Sequence, residues 1–401
     1  MESALPGGIP PTPYRPTAKT QATLLFVATF TVMSGAVVAM SMPPMRAEYA
    51  AVPGIELLSR MMLTLPALFI AVSAPFAGWL IDKFGRKKLL LVAMVLYAIA
   101  GTSGYYLDNL FVLLAGRALQ GIAVAGMMTT VTTLVADYFA PGTARSRFVG
   151  TQGAFMALGG MIYIPLGGYL AEVHWRLPFL LYLVVVPAIP MALAWLPDVN
   201  KLLGVNQPNL SGPGHPTPNP ALDKPQPVAV PHTIYGVYAV AIFAQITFFM
   251  LPVQVPFLLE SLPGVTRGQG GIAIAVTTLF AAVASFGYQY ARRWMGFGHV
   301  YAFSFTLMAA GFLVIGLSET YAVLTIGMAI AGLGAGMTSP NHSVWVMELA
   351  PPHLRGRLMG GVASAIFMGQ FLSPILTQPV AAYTSLNNAF VVSAALLAAM
   401  G

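Results

Sequence analysis

A chain of 401 residues that is 57% hydrophobic and only 8% charged, with a mean hydropathy of +0.76, is not a water-soluble globule; soluble domains run at roughly 45–50% apolar and about 25% charged residues. The net charge of +7 then reflects membrane topology and gives no reason to expect nucleic-acid binding. Zero cysteines exclude disulfides and thiolate metal sites.

Residues 1–19 form a Pro-rich polar N-terminal tail with no cleavable signal peptide in view. Beyond it the charges mark the ends of apolar runs, and a spanning helix needs about 20 such residues because hydrocarbon offers the backbone no partner. Runs between Lys19 and Arg46, Arg60 and Asp82, Lys88 and Asp108, Arg117 and Asp137, Arg147 and Glu172, and Arg176 and Asp198 predict six spans in a first bundle, 20–197. Residues 198–232 are polar and Pro-rich, a linker by composition. Spans seven to ten follow between Thr233 and Leu259, Gly268 and Ala291, Trp294 and Ser318, and Thr320 and Met347. The uncharged run from Leu358 divides at Tyr383 to Asn388 into two more, which completes a second bundle, 233–401. The expectation is an all-α integral membrane protein of twelve transmembrane helices in two six-helix bundles. The last segment, from about Leu386, is short for a span at 1.5 Å per residue; the chain is truncated there or the helix ends within the headgroups.

With the N-terminus inside, the linker and alternate loops hold most of the Lys and Arg, whereas only Arg46, Arg60, Arg176 and Arg267 lie outside. The positive-inside rule therefore predicts a multi-pass plasma-membrane protein, of bacterial inner-membrane type, with both termini cytoplasmic. The segment Ala140-Pro-Gly-Thr-Ala-Arg-Ser-Arg147 recurs as Ala350-Pro-Pro-His-Leu-Arg-Gly-Arg357, and the same offset aligns Gly126-Met127 with Gly336-Met337. Asp137 and Glu348 close the helices before each copy. Two parallel halves with a substrate site between them near the midplane is a transporter plan.

Between two uncharged runs sits Gly78-Trp-Leu-Ile-Asp-Lys-Phe-Gly-Arg-Lys-Lys88, five charges in eleven residues. Gly78, Asp82, Gly85, Arg86 and Lys87 match the loop signature of the major facilitator superfamily, and the chain resembles that family over essentially its whole length. Physically, Gly78 would let helices pack closely, Gly85 would permit the sharp turn, and Asp82 suits the positive N-terminus of another helix. The resemblance implies that this helix is the eleventh, starting near Leu358, that Arg86 bridges to Asp137, and that the cluster locks the cytoplasmic faces together in an outward-open state.

Leu113-x-x-x-Arg117-x-x-Gln120-Gly121 resembles the proton-coupling motif of the drug:proton antiporter branch. Arg117 reads either as that coupling group or as a snorkelling residue near its helix end. In the fifth span, Gly159-Gly-Met-Ile-Tyr163-Ile-Pro165-Leu-Gly-Gly168 departs from the branch pattern, with Tyr163 and Ile164 where Gly and Pro are usual. All twelve acids fall in tails, loops or helix ends, so no carboxylate stands at mid-span. Further coupling candidates are His342, Glu48 and Glu260. Met33, Gln152, Tyr163, Gln245, Phe249, Gln254, Asn341, Trp345, Phe367 and Gln370 are candidates for an amphipathic, aromatic cavity, each also explicable as helix-packing glue. Pro252 and Pro256 are expected to kink the seventh span.

No nucleotide-binding loop or metal signature is present, and neither cofactor nor enzyme activity is expected. The resemblance implies a monomeric secondary transporter in the lipid bilayer that exports small amphipathic compounds by alternating access against protons. A facilitator or symporter of a small neutral, zwitterionic or anionic metabolite is the alternative.

Overall fold

The structure, a computed structural model, describes residues 16–139, 142–198, 231–351 and 354–401, with the Asp82 side chain left out. The Asp82 contact expected above, the linker and parts of both copies of the repeated segment therefore lie outside the described residues. Among these residues eleven helices are long and apolar enough to span a bilayer, and Leu386–Met400 adds a shorter apolar helix of 15 residues.

The first span is broken. Helix α1 (Ala18–Ala36), capped by the Thr17 side chain, gives way to a 3-10 turn, Ala39–Ser41, and then to α2 (Met42–Glu48). Pro43 and Pro44 suit a helix start, since a first-turn amide needs no helical acceptor. Helix α3 (Ile55–Phe84) follows Gly54, whose φ of 78° is left-handed. It begins five residues before Arg60, so this arginine lies within the span, a correction to its placement as an outer-loop charge. At Gly85, φ is 85° and ψ 152°, a backbone state open to glycine, and α4 (Arg86–Tyr106) starts at once. Helices α5 (Leu110–Tyr138) and α6 (Thr143–Val173) follow, and the sixth span is a 3-10 segment, Leu177–Val185, leading into α7 (Ala188–Trp195).

The second half comprises α8 (His232–Leu259), α9 (Arg267–Trp294), α10 (Phe297–Gly316), α11 (Tyr321–Leu349), α12 (Arg355–Tyr383) and α13 (Leu386–Met400). Helix α8 runs unbroken through Pro252 and Pro256. One face of the molecule carries Lys83, Arg86, Lys87, Lys88, Arg145, Arg292, Arg293 and Arg355 at helix ends and is called here the basic face.

Inside a bilayer, apolar contact alone does not drive helices together, so close packing through small residues matters more. A Cβ on Gly101 or Gly104 of α4 would run into the rings of Tyr182 and Phe179 in the 3-10 segment. In the second bundle, Gly332 and Gly336 of α11 press on the backbone of α9 at Thr277 and Ala281. The bundles meet where α6 packs on α9 and α3 on α12. Gly167 there abuts the Val37 backbone at the break in the first span, and Gly168 abuts Arg267 and Gly271 of α9.

The repeat has a physical role at the basic face. Arg145 donates to the carbonyls of Ala136 at 2.6 Å and Phe139 at 2.9 Å, where α5 ends; its counterpart Arg355 donates to Ala350 at 3.4 Å, where α11 ends. Cations on the last carbonyls of a helix also complement its dipole. Ion pairs recur beside them: Arg86 with Asp137 at 2.9 Å, and Arg292 with Glu348 at 3.8 Å.

Candidate functional site

Between the bundles lies a cavity of about 280 Å³, walled by α1, α3, α5, α6, α8, α9 and α12. Its surface is mostly apolar, with Phe248, Phe249 and Phe367 as the aromatic members. The hydroxyls that face it are committed to their own helices: Thr31 donates to Ala28, Ser34 to Thr31, Thr277 to Ala273 and Thr278 to Ile274. Gln370 makes only a long contact, Nε2 to Gln245 Oε1 at 3.5 Å, and so retains hydrogen-bonding capacity toward the cavity. No charged side chain is among the lining residues described.

Toward the basic face the cavity adjoins a vestibule of about 780 Å³, with which it shares the lining residues Ile70, Met128 and Phe367. Thr129, Thr132, Ser364 and Arg357 supply its polar surface. A Cβ on Gly78 would meet nothing within 4 Å, so this glycine does not serve the close packing expected of it in this conformation. The Arg86–Asp137 pair forms as the resemblance implies, but it ties α4 to α5 within one bundle.

The opposite face is closed by bonds between bundles. Arg46 pairs with Glu260 at 3.3 Å, Glu172 accepts from the Gly268 amide at 2.7 Å, and Arg267 donates to the Ala171 carbonyl at 3.1 Å. Deeper, Arg60 Nε donates to Gln254 Oε1 at 2.8 Å. Glu48 is held inside its own bundle by the Trp175 indole and by Arg176 at 2.9 Å. Arg176, in the connection before the sixth span, also meets Asp108 at 2.8 Å. Partial burial opposes its charge, yet the hydrogen bonds to Glu48 and Asp108 prevail and hold its guanidinium above the ordinary range.

Arg117 is fully buried and does not snorkel. Pro66 in α3 has no amide, which leaves the Met62 carbonyl four residues earlier without its helical donor. Arg117 Nε supplies it at 2.7 Å. Nη2 donates to the Ser34 carbonyl at 2.6 Å, in the last turn of α1, where helix geometry leaves carbonyls unpaired. Nη1 reaches Tyr182 at 2.9 Å and Gln120. Gly121 keeps the helices close enough, since a Cβ there would strike the Pro66 backbone.

Of the sequence-derived cavity candidates, Phe249, Phe367 and Gln370 line the cavity and Gln245 stands behind Gln370. Met33 is buried outside it, and Tyr163 packs against the core. Gln152 faces a separate groove beside α5. Asn341 bonds Tyr288 at 3.2 Å and the Phe297 carbonyl at 3.1 Å, and Trp345 stacks on Phe297, so both belong to the second bundle's interior. His342 is buried against Tyr301, 2.5 Å from Nδ1, and lines none of these spaces. Thr31 and Ser34, one turn apart on α1, and the adjacent Thr277 and Thr278 of α9 supply hydroxyls to the lining, and such hydroxyl pairs on otherwise apolar spans are the sequence signal for it.

A family model described as Major Facilitator Superfamily matches residues 24–294 and 237–401. The vacuolar membrane amino acid uptake transporter fnx2 of Schizosaccharomyces pombe is 36% identical over 141 residues, 33% of this chain and 23% of that one. The niacin transporter NiaP of Acinetobacter baylyi is 27% identical over 193 residues, 45% and 43% of the two chains. The quinolone resistance protein NorA of Staphylococcus aureus is 30% identical over 113 residues, 28% and 29% of the two. The matched stretches thus span less than half the length of these relatives. Among solved structures, a mutant of the peptide transporter POT in complex with alafosfalin superposes with a TM-score of 0.72 at 16% identity, covering 97% of this chain and 96% of that one, a likeness of fold. The chain belongs to the Major Facilitator Superfamily, a family of membrane transporters for small molecules and not of enzymes.

Proposed function

We propose that the protein is a secondary transporter that exports a small amphipathic compound across the plasma membrane by alternating access, in exchange for protons. The basic face is cytoplasmic on this reading, because Lys and Arg gather there. The observation that carries it is the uncharged, aromatic cavity, adjoining a vestibule on the basic face and separated from the opposite face by bonds between bundles. Such a surface suits a largely apolar solute with a single strong hydrogen-bonding group directed at Gln370. Similarity to NorA, named for quinolone resistance, agrees with export.

A second reading, uptake or facilitated passage of a small metabolite, is favoured by the lack of any carboxylate among the described cavity residues and by similarity to niacin and amino acid transporters. Proteoliposomes loaded with a radiolabelled quinolone, niacin or an amino acid separate the two. Quinolone flux driven by an imposed pH gradient is the expected result. Niacin or amino acid exchange that ignores the gradient would establish the second reading, and flux of none of the three probes would count against both.

A further inference from the structure

We infer that Arg60 and Gln254 are the positioning pair that closes the central cavity on its opposite face and sets the balance between the two halves of the transport cycle; this rests on the alternating-access reading above. Leu63, one turn deeper on α3, and Leu251 and Pro252, just deeper on α8, line the cavity, so the Arg60–Gln254 bond crosses its roof. Gln254 is fully buried and spends its own amide hydrogens on Thr377 at 3.2 Å and Gln378 at 3.4 Å, both of α12. Three helices from two bundles thus converge on one carboxamide.

The chemistry makes this a switch more than a rivet. The Arg60 side chain is 2% exposed, yet its ionic partner Glu56, at 3.1 Å, is 52% exposed. Its other neighbours carry no charge: the Glu56 backbone carbonyl, which accepts from Nη1 at 2.6 Å, the Gln254 amide, and the Phe257 ring, whose centroid is 3.9 Å from the guanidinium carbon. A dehydrated cation with so little compensating charge costs nearly what its contacts return, and parting the bundles would return water to it. Two states close in free energy are what a carrier cycle requires. The neighbouring Arg46–Glu260 pair, with side chains 34% and 41% exposed, is screened by solvent and contributes little to that balance.

Two substitutions at one position then act in opposite directions. Gln254→Ala leaves the Arg60 Nε–H buried without an acceptor and disfavours closure. Gln254→Glu sets a carboxylate at equal reach and favours it. A glutamine with a merely structural role would make both changes act alike. The native chain has no cysteine, so spin labels can be placed at Ala51→Cys and Thr384→Cys across the opposite face, and at Ser146→Cys and His299→Cys across the basic face, in nanodiscs.

Electron–electron distance distributions for Gln254→Ala should show the ratio of long to short opposite-face distances raised about tenfold, the effect of leaving one buried charged donor unpaired. Gln254→Glu should lower that ratio, and the basic-face pair should move in the contrary sense in each variant. Unchanged distributions in both folded variants, or shifts in the same direction, would overturn the inference. If Gln254→Ala does not fold, Gln254→Asn, which withdraws the carboxamide by one methylene, takes its place. Opposite-face shifts with an unmoved basic face would uphold the latch and defeat the alternating-access reading instead.

Discussion

A proline in the middle of α3 leaves the Met62 carbonyl bare, and an arginine from α5 completes it. Arg117 and Pro66 therefore behave as one unit. Arg117→Ala should lower the melting temperature of the detergent-purified protein, with a cost of roughly 1–3 kcal/mol for each carbonyl left bare at Met62 and Ser34. Arg117→Lys should not restore it, because one ammonium cannot reproduce the guanidinium fork. In a Pro66→Ala background the alanine amide can serve Met62, so the penalty of Arg117→Ala should shrink; equal penalties in both backgrounds would show the two residues uncoupled. The sequence marks Arg117 as unusual by its burial in an apolar run, but its acceptors are backbone groups far along the chain that no side-chain pattern announces. Arg60 illustrates the same limit more sharply. Flanked by Glu56 and not far from Arg46, it looks like a loop charge, and its partner Gln254 lies 194 residues away.

Helices α6 and α9 approach backbone to backbone across the bundle boundary at Gly168 and Gly271, where a Cβ on either would strike the Arg267 or Ile164 carbonyl. Gly168→Leu should force these helices apart and reduce thermal stability, whereas Gly150→Leu, where a Cβ meets nothing within 4 Å, should be nearly neutral. Similar melting curves for the two variants would rule out a close-packed contact at Gly168. Gly78 sits in open space here, so Gly78→Leu should leave this conformation intact and obstruct only a state with the basic face closed. Labels at Ser146→Cys and His299→Cys should then lose their short-distance population; retention of it would remove Gly78 from the gate. The number of spans follows from hydropathy because hydrocarbon demands long apolar runs, but helices α3 and α5 begin before the arginines that bound those runs. The break in the first span and the 3-10 geometry of the sixth do not follow from hydropathy, since both depend on what packs against them: Gly167 on Val37, and Tyr182 and Phe179 on the α4 glycines.

At the scale of the whole molecule, the two-bundle plan was visible in the repeat and in the charged turn, while the conformation was not. The turn motif points to a lock on the basic face, yet the cross-bundle polar bonds among the described residues lie on the other face. One sequence serves both ends of a transport cycle, and its motifs do not say which end a structure captures. Under alternating access the opposite face must open during transport. Arg46→Cys with Glu260→Cys, whose native side chains meet at 3.3 Å, places the only two thiols of the chain across that seam. The decisive measurement is solute exchange in proteoliposomes, with whichever of quinolone, niacin or amino acid the chain carries, before and after bridging by a reducible bifunctional thiol reagent. The account predicts that bridging abolishes exchange, that reduction restores it, and that single-cysteine variants treated alike stay active. Undiminished exchange through the bridged protein would contradict it.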